Sequence, residues 1–293
     1  MSEAMIQTAK PAKSSMAKRR IQKFCKNPLS VVAAVILTAL VLACIFAPLL
    51  TPYDPAEINV KLKYAKPSAE HLLGCDRMGR DLLARLLYGG RWSLLVGVLT
   101  SLCVNTLGAT MGVVAGYFGG RLDRAIVTAS EFMQLFPSTL VLILIACIMK
   151  INIWILVGMW TITGWPGLMR IVRSRVLSLK QEPFVESCVA NGISKRSIMF
   201  HHIIPNTTGP IIVNATINVA GYILSESSLS YLGYGLDSSI PTWGNILNAT
   251  KNIEQILAHP MQWICPAVCI LTLVLCINYL GDGLRDALDA TTR

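Results

Sequence analysis

Six long runs without a charged residue most constrain what this chain can fold into. The runs extend over about Leu29–Leu50, Trp92–Val114, Phe132–Met149, Ile151–Met169, Ile203–Ser225 and Met261–Leu280. About 20 helical residues cross the ~30 Å hydrocarbon layer of a bilayer, because each residue adds ~1.5 Å. Only 14% of the residues are charged and 53% are apolar, whereas soluble domains carry about 25% charged residues. The sequence therefore predicts an all-α polytopic membrane protein with six transmembrane helices.

The basic residues are unevenly distributed between the segments that separate these runs. If the N-terminus is cytoplasmic, 17 of the 26 Lys and Arg residues lie inside and nine lie outside. This asymmetry predicts that both termini are cytoplasmic. The basic arm that precedes the first run would lie near anionic lipid headgroups. We do not expect a nucleic-acid partner, because no Cys/His framework or interleaved aromatic residues accompany the basic residues.

These features divide the chain into five segments. They are a basic cytoplasmic arm at 1–28, a first transmembrane helix at 29–50, an external segment at 51–91, a five-helix core at 92–281 with a polar loop at 178–206, and a cytoplasmic tail at 282–293. Most of the nine cysteines lie inside the apolar runs, where a thiol acts as a small apolar group. No disulfide framework is implied.

Three glycines follow one another at intervals of four residues near the end of the second run, at Gly108, Gly112 and Gly116. This spacing places the glycines on one helix face, where another backbone can approach closely. The face could lie near a translocation path or a partner subunit, or it could pack within the chain. Two later runs contain Pro137 and Pro166, which should kink or interrupt their helices.

Ionisable groups are rare in the predicted spans. Glu131, Glu226 and Asp282 lie near span ends, and the four histidines lie outside the runs. Carriers coupled to protons or ions place such groups inside the bilayer. The pattern therefore argues against a proton carrier that needs no other energy source.

The loop from Arg170 to Pro205 reads as helix, turn, helix. Pro183 suits a first helical turn, Gly192 suits a left-handed helix end, and Ser194 can cap the next helix, which Pro205 should end. The apolar residues of the first helix recur at helical spacing, at Phe184, Val185, Cys188 and Val189. Such a face favours a protein partner over a position in the lipid interface.

Catalytic motifs are absent from the sequence. It has no G-x-x-x-x-G-K-[ST] phosphate loop, no H-E-x-x-H motif and no G-x-S-x-G elbow. His201 and His202 adjoin no second group of residues at metal-ligand spacing. We therefore expect no enzymatic activity, cofactor or metal in this chain.

Four ordered motifs carry a resemblance to a known family. Glu186-Ser187-Cys188, then Gly192, then Ile203-Ile204-Pro205 resembles the E-A-A…G…I-x-L-P signature of ABC-importer permeases. The segments from His71 to Gly89, from Ser230 to Gly244 and from Leu280 to Asp289 are similar to the dipeptide/oligopeptide/nickel group, specifically its C-type subunit. Ser187-Cys188 replaces the usual Ala-Ala, and Asn191 stands where an apolar residue is usual.

The resemblance implies the permease fold of a type I ABC importer in a bacterial inner membrane. It implies a homologous second permease, two cytoplasmic ATPase subunits that hold ATP and Mg²⁺, an external solute-binding protein and a peptide substrate. The loop at 178–206 would dock into the ATPases, with the contact residues Phe184, Val185, Glu186, Ser187, Cys188, Gly192, Ser194, Ile203, Ile204 and Pro205. Glu186 could pair within its own loop or with the ATPase. Nickel or a metallophore is the alternative cargo, and a secondary carrier or channel is the alternative outside the family.

Overall fold

A computed structural model describes residues 21–288 of the chain. The described part is helical and contains no strand, which confirms the all-α class; Cys75 and Asp81 form an isolated β-bridge. The helices, after a helical segment at residues 21–26, are α1 (Pro28–Ile45, followed by the short Ala47–Leu50), α2 (Leu82–Phe118), α3 (Gly120–Gln134), α4 (Ser138–Ile148), α5 (Ile153–Lys180), α6 (Pro183–Ala190), α7 (Lys195–Ile198), α8 (Ile204–Leu232), α9 (Trp243–Asn248), α10 (Ile253–Ala258) and α11 (Met261–Leu288). A 3₁₀ turn, Val60–Leu62, precedes α2, and a π-helical turn, Met199–Ile203, joins α7 to α8.

Short polar side chains set where several helices begin. The Asp81 carboxylate accepts a hydrogen bond from the amide of Ala84 at 2.7 Å and so caps α2, while Asn152 accepts one from Ile155 at 2.9 Å and caps α5. Such caps satisfy amides that have no partner within their helix. Gly233 ends α8 in the left-handed conformation, with φ of 96°, which glycine adopts at no steric cost.

Four of the described helices are long and apolar enough to cross a membrane by themselves: α1, α2, α5 and α11. The pair α3 and α4 meets the same test together and bends by 68° between them. The predicted interruption at Pro137 is confirmed, because this residue lies at the bend and precedes the first residue of α4. Pro166 lies inside α5 and does not interrupt it. Helix α8 is not among the helices that pass, so the count of six spans stays a prediction.

Helix α2 lies at the centre of the bundle. It packs against α5 along its second half and against α8, while α11 packs against α8 and α1. Ser30 near the start of α1 donates a hydrogen bond to the carbonyl of Tyr279 in α11 at 2.9 Å. The first and last described helices therefore meet at the end of the bundle where α2 finishes, which we call the Phe118 end. The opposite end, where α2 begins, is the Leu82 end.

The segment boundaries differ from the observed helices in two places. Helix α2 begins ten residues before the predicted start of the core at 92, because Asp81 supplies its cap. Helix α11 continues to Leu288, so the predicted tail begins inside a helix. The arm at 1–28 is described only from residue 21, and the last five residues also lie outside the described part.

The segment between α1 and α2 folds onto the Leu82 end through buried charges. His71 Nδ1 lies 2.9 Å from Asp81 Oδ2, and Asp76 pairs with Arg80 at 2.7 Å and with Arg85 at 3.5 Å. The ring of Tyr64 stacks on His259 with centroids 4.0 Å apart. These contacts attach the segment to α2 and to the chain that enters α11.

Candidate functional site

The helix, turn and helix predicted in the polar loop are present at the Phe118 end. Pro183 occupies the first turn of α6, where its missing amide hydrogen costs nothing. Gly192 follows α6 with φ of +71°, and the Ser194 hydroxyl accepts a hydrogen bond from the amide of Ser197 at 3.3 Å. The three local predictions are confirmed. Position 192 requires glycine because of its left-handed backbone conformation. Lack of room is not the reason, since a Cβ there would meet no atom within 4 Å.

The loop is attached to the bundle by one apolar cluster. Val185 of α6, Ile198 of α7 and Ile203 of the π turn are 3% exposed or less. They pack with Val172, Val176 and Leu179 of α5 and with Val113 of α2. A displacement of α6 must therefore move the ends of α2 and α5 with it, because close-packed side chains transmit displacement.

The other side of α6 is open. Phe184 is 41% exposed and Val189 is 61% exposed, and Glu186 and Ser187 are also exposed. A groove of about 670 Å³ separates this side from the bundle. Its walls include Tyr117, Phe118 and Lys180 on the bundle and Glu186, Val189 and Ile193 on the loop. An exposed apolar patch with a polar rim is typical of a protein contact.

Two profiles decide which family this is. The profile described as "Binding-protein-dependent transport system inner membrane component" matches residues 108–293. A second profile, described as the N-terminal TM domain of oligopeptide transport permease C, matches residues 15–67. The chain belongs to the binding-protein-dependent transport permeases.

Curated proteins similar to this permease have names that specify peptides. A dipeptide transport system permease protein, DppC, of Alkalihalophilus pseudofirmus is 39% identical over 90% of this chain and 86% of its own length. Oligopeptide transport system permease proteins, OppC, are 37% identical in Haemophilus influenzae, over 94% of this chain and 88% of theirs, and 33% identical in Bacillus subtilis, over 95% and 91%.

The predicted contact residues of this permease do not share one exposed face. Val185 and Ile203 belong to the buried cluster, and Cys188 and Ile204 pack against it half-buried. Phe184, Glu186 and Ser187 point outward with Gly192 and Ser194. A helix of eight residues has two faces, and the apolar spacing alone does not tell which residues of the set face the bundle.

Pro205 does not end a helix, which corrects the prediction made for it. It is exposed and lies in the first turn of α8, directly after the π turn. The five-residue π turn carries the helical backbone from α7 into α8. Its His202 places Nε2 3.8 Å from Cys188 Sγ, so the turn also contacts α6.

The pairing of Glu186 is left open by the described residues. The ion pairs formed within residues 21–288 join His71 with Asp81, Arg80 and Arg85 with Asp76, and Arg173 with Asp123. Glu186 is exposed on the loop. Pairing within its own loop and pairing with the ATPase both stay predictions.

The glycine face of α2 packs within the chain. A Cβ at Gly108 would lie 2.8 Å from the carbonyl oxygen of Trp165, one at Gly112 would lie 2.7 Å from that of Met169, and one at Gly116 would lie 2.9 Å from that of Arg173. All three contacts are with α5. Glycine lets the two backbones approach to a distance that a side chain would prevent.

The motif from Ser230 to Gly244 marked part of residues 240–249, which we call the Trp243 segment, but did not indicate that this segment is buried in the bundle. Trp243 is fully buried; its ring nitrogen donates to the carbonyl of Leu86 at 2.9 Å, and its amide donates to the Ser93 hydroxyl at 3.2 Å. A Cβ at Gly244 would lie 2.7 Å from Ser227 Cα of α8. The segment is thus inserted between α2 and α8, and the Pro-Thr-Trp-Gly motif was its only signal in the sequence.

Proposed function

We propose that this chain is one of two permease subunits of an ATP-driven importer for dipeptides or oligopeptides in a bacterial inner membrane. The observation that best supports this proposal is the arrangement of α6. Its exposed side has apolar and acidic groups, and its opposite side is attached to α2 and α5 by a buried cluster. The names of the relatives, which specify dipeptides and oligopeptides, support peptides as cargo over nickel or a metallophore.

The assembly needs partners at both ends of the bundle. Two ATPase subunits would contact the Phe118 end, where the loop and both described termini lie, and this end would be cytoplasmic. A solute-binding protein would contact the Leu82 end, including the residues between 233 and 260. A homologous permease would complete the translocation pathway, of which this chain forms half.

The mechanism is alternating access driven from outside the chain. ATP and Mg²⁺ bind in the ATPase subunits, which close and open as nucleotide binds and is hydrolysed. The ATPases displace α6 through contacts with Phe184, Glu186 and Val189. The displacement is transmitted to α5 and α2 by the buried residues Val185 and Ile198. The glycine contact makes α2 and α5 one rigid pair, so the pair tilts as a unit and changes the end to which the pathway opens.

The test is Val189→Asp in the complete complex with its ATPases. The valine is 61% exposed, so the substitution should leave the fold intact while placing a charge in the docked surface. Val60→Asp is the matched control, because Val60 is 76% exposed near the Leu82 end. We expect Val189→Asp to lose most ATPase subunits on purification and to lose ATP-dependent peptide uptake in proteoliposomes, whereas Val60→Asp keeps its ATPase subunits.

Two results would contradict the proposal. Normal ATPase retention and uptake in Val189→Asp would mean that α6 is not the contact. Peptide uptake by the purified chain alone in liposomes would favour a secondary carrier or channel. Binding-protein-dependent uptake of nickel but not of peptides would keep the permease assignment and replace the cargo.

A further inference from the structure

A buried carboxyl group lies in the interior of the Leu82 end and takes no part in the coupling just described. Glu226 of α8 is 0% exposed. No ion pair of the described residues includes it. A buried carboxylate with no cation beside it is costly, and such a group is stable when neutral.

Hydroxyl groups surround this carboxyl. Those of Ser93 in α2, of Ser227 and Ser230 in α8, and of Thr242 in the Trp243 segment face it. Ser230 Oγ donates to Glu226 Oε1 at 2.7 Å. Among residues 21–288, Glu226 Oε2 and Ser227 Oγ are both buried without a hydrogen-bond partner. Because no hydrogen bond reaches Oε2, a negative charge on that oxygen is not stabilised, and this favours the neutral, protonated carboxyl.

The charged side chains on the elements around Glu226 are engaged elsewhere. Arg85 of α2 pairs with Asp76, and Arg91 of α2 donates to the carbonyls of Cys44 and Ile45 at 2.6 Å. On the chain that enters and leaves the Trp243 segment, Asp237 accepts from the Ser239 amide at 2.9 Å, and Lys251 lies over the ring of Tyr231 at 5.4 Å. The groups that face the carboxyl are hydroxyls, which do not ionise in the usual pH range.

We propose that Glu226 is a proton-binding site, occupied while the Trp243 segment is seated between α2 and α8 and vacated when that segment moves away. Thr242 and Trp243 belong to the segment, and Thr242 and Ser93 both face the carboxyl while Ser93 also holds the Trp243 amide. Unseating the segment opens the site to water. The carboxyl then gives its proton to water and becomes a carboxylate; on reseating, the carboxylate takes a proton back from hydronium. No other bond forms or breaks.

The sign of the pH dependence follows from this exchange. The seated state binds one more proton than the open state, so rising pH favours opening. Wherever the open state is ionised and the seated state is protonated, the opening constant rises up to tenfold for each pH unit. A neutral amide at this position removes the dependence, because it has no proton to lose.

The experiment is hydrogen–deuterium exchange of the peptide that covers residues 240–249, measured in the complete complex between about pH 5 and about pH 8, a range in which buried glutamates titrate. After correction for the intrinsic pH dependence of exchange, the opening of wild type should rise with pH by up to tenfold per unit. Glu226→Gln should give a flat profile. The control Glu131→Gln, at an exposed glutamate of α3, should behave as wild type.

Several outcomes would overturn the proposal. One is a flat wild-type profile; another is a slope in Glu226→Gln equal to that of wild type. If Glu226→Gln does not assemble, the wild-type slope at 240–249 is compared with that at residues 195–198 in α7. Equal slopes there would overturn the proposal too. The test measures opening and not uptake, so it is independent of the cargo and of the docking of α6.

Discussion

Replacing Gly112 by alanine should destabilise the chain, because the added methyl group has no room. A Cβ at this position would lie 2.7 Å from both the carbonyl oxygen of Met169 and the Cβ of Val172. Ordinary contacts between carbon atoms are ~3.5–4.0 Å, so the two helices must separate by about 1 Å. Such overpacking costs roughly 1–3 kcal/mol, offset by the ~0.5–1 kcal/mol that alanine gains over glycine in a helix. The expected net loss is about 1–2 kcal/mol.

Gly167→Ala is the matched control for that substitution. Gly167 lies in α5, and a Cβ there would meet nothing within 4 Å, so only the gain in helix propensity remains. The free energy of unfolding is measured for both variants in mixed detergent micelles by titration with a denaturing detergent. Equal stability of the two variants would refute the packing argument. Normal stability of Gly112→Ala with failed assembly of the complex would instead place the glycine face against a partner subunit.

Two further predictions concern the loop and the external segment. Gly192→Pro should abolish substrate-stimulated ATP hydrolysis by the complex, because proline fixes φ near −65° where the backbone requires +71°; Gly192→Ala, which clashes with nothing, should cost only about 1–2 kcal/mol. Unchanged coupling in the proline variant would contradict the role of the turn. Burial raises the pKa of the Cys75 thiol, and the charges of Asp81 and Asp76 raise it further, so a smaller fraction of this thiol is thiolate at neutral pH. A soluble maleimide should therefore modify Cys75 more slowly than the exposed Cys25. Equal rates would count against the described burial.

The sequence predicted the loop in detail because its signals are local. Pro183, Gly192 and Ser194 each act on the backbone within a few residues, and each acts in the structure as its type dictates. Pro205 misled for a related reason: proline disfavours a helix interior but suits a first turn, and only the π turn before it shows that a long helix starts there.

Contacts between distant segments could not be predicted in this way. Val185 and Phe184 are both apolar and adjacent, yet one packs on α5 and the other is exposed; the difference depends on the direction in which α6 leaves α5. Glu226 lay at the end of a predicted span and gave no sign of burial. Its surroundings come from Ser93, far earlier in the chain, and from Thr242, beyond a turn.

The length of α2 has a consequence for where its first turns lie. Its 37 residues extend about 55 Å, whereas a bilayer measures ~40–45 Å across, headgroups included. A tilt of the size usual for membrane helices shortens the projected length by only a few ångströms. About one to two turns of α2 must therefore lie beyond the headgroups. The charged residues of α2, Arg85 and Arg91, both lie among its first ten residues, so this surplus length belongs to the Leu82 end.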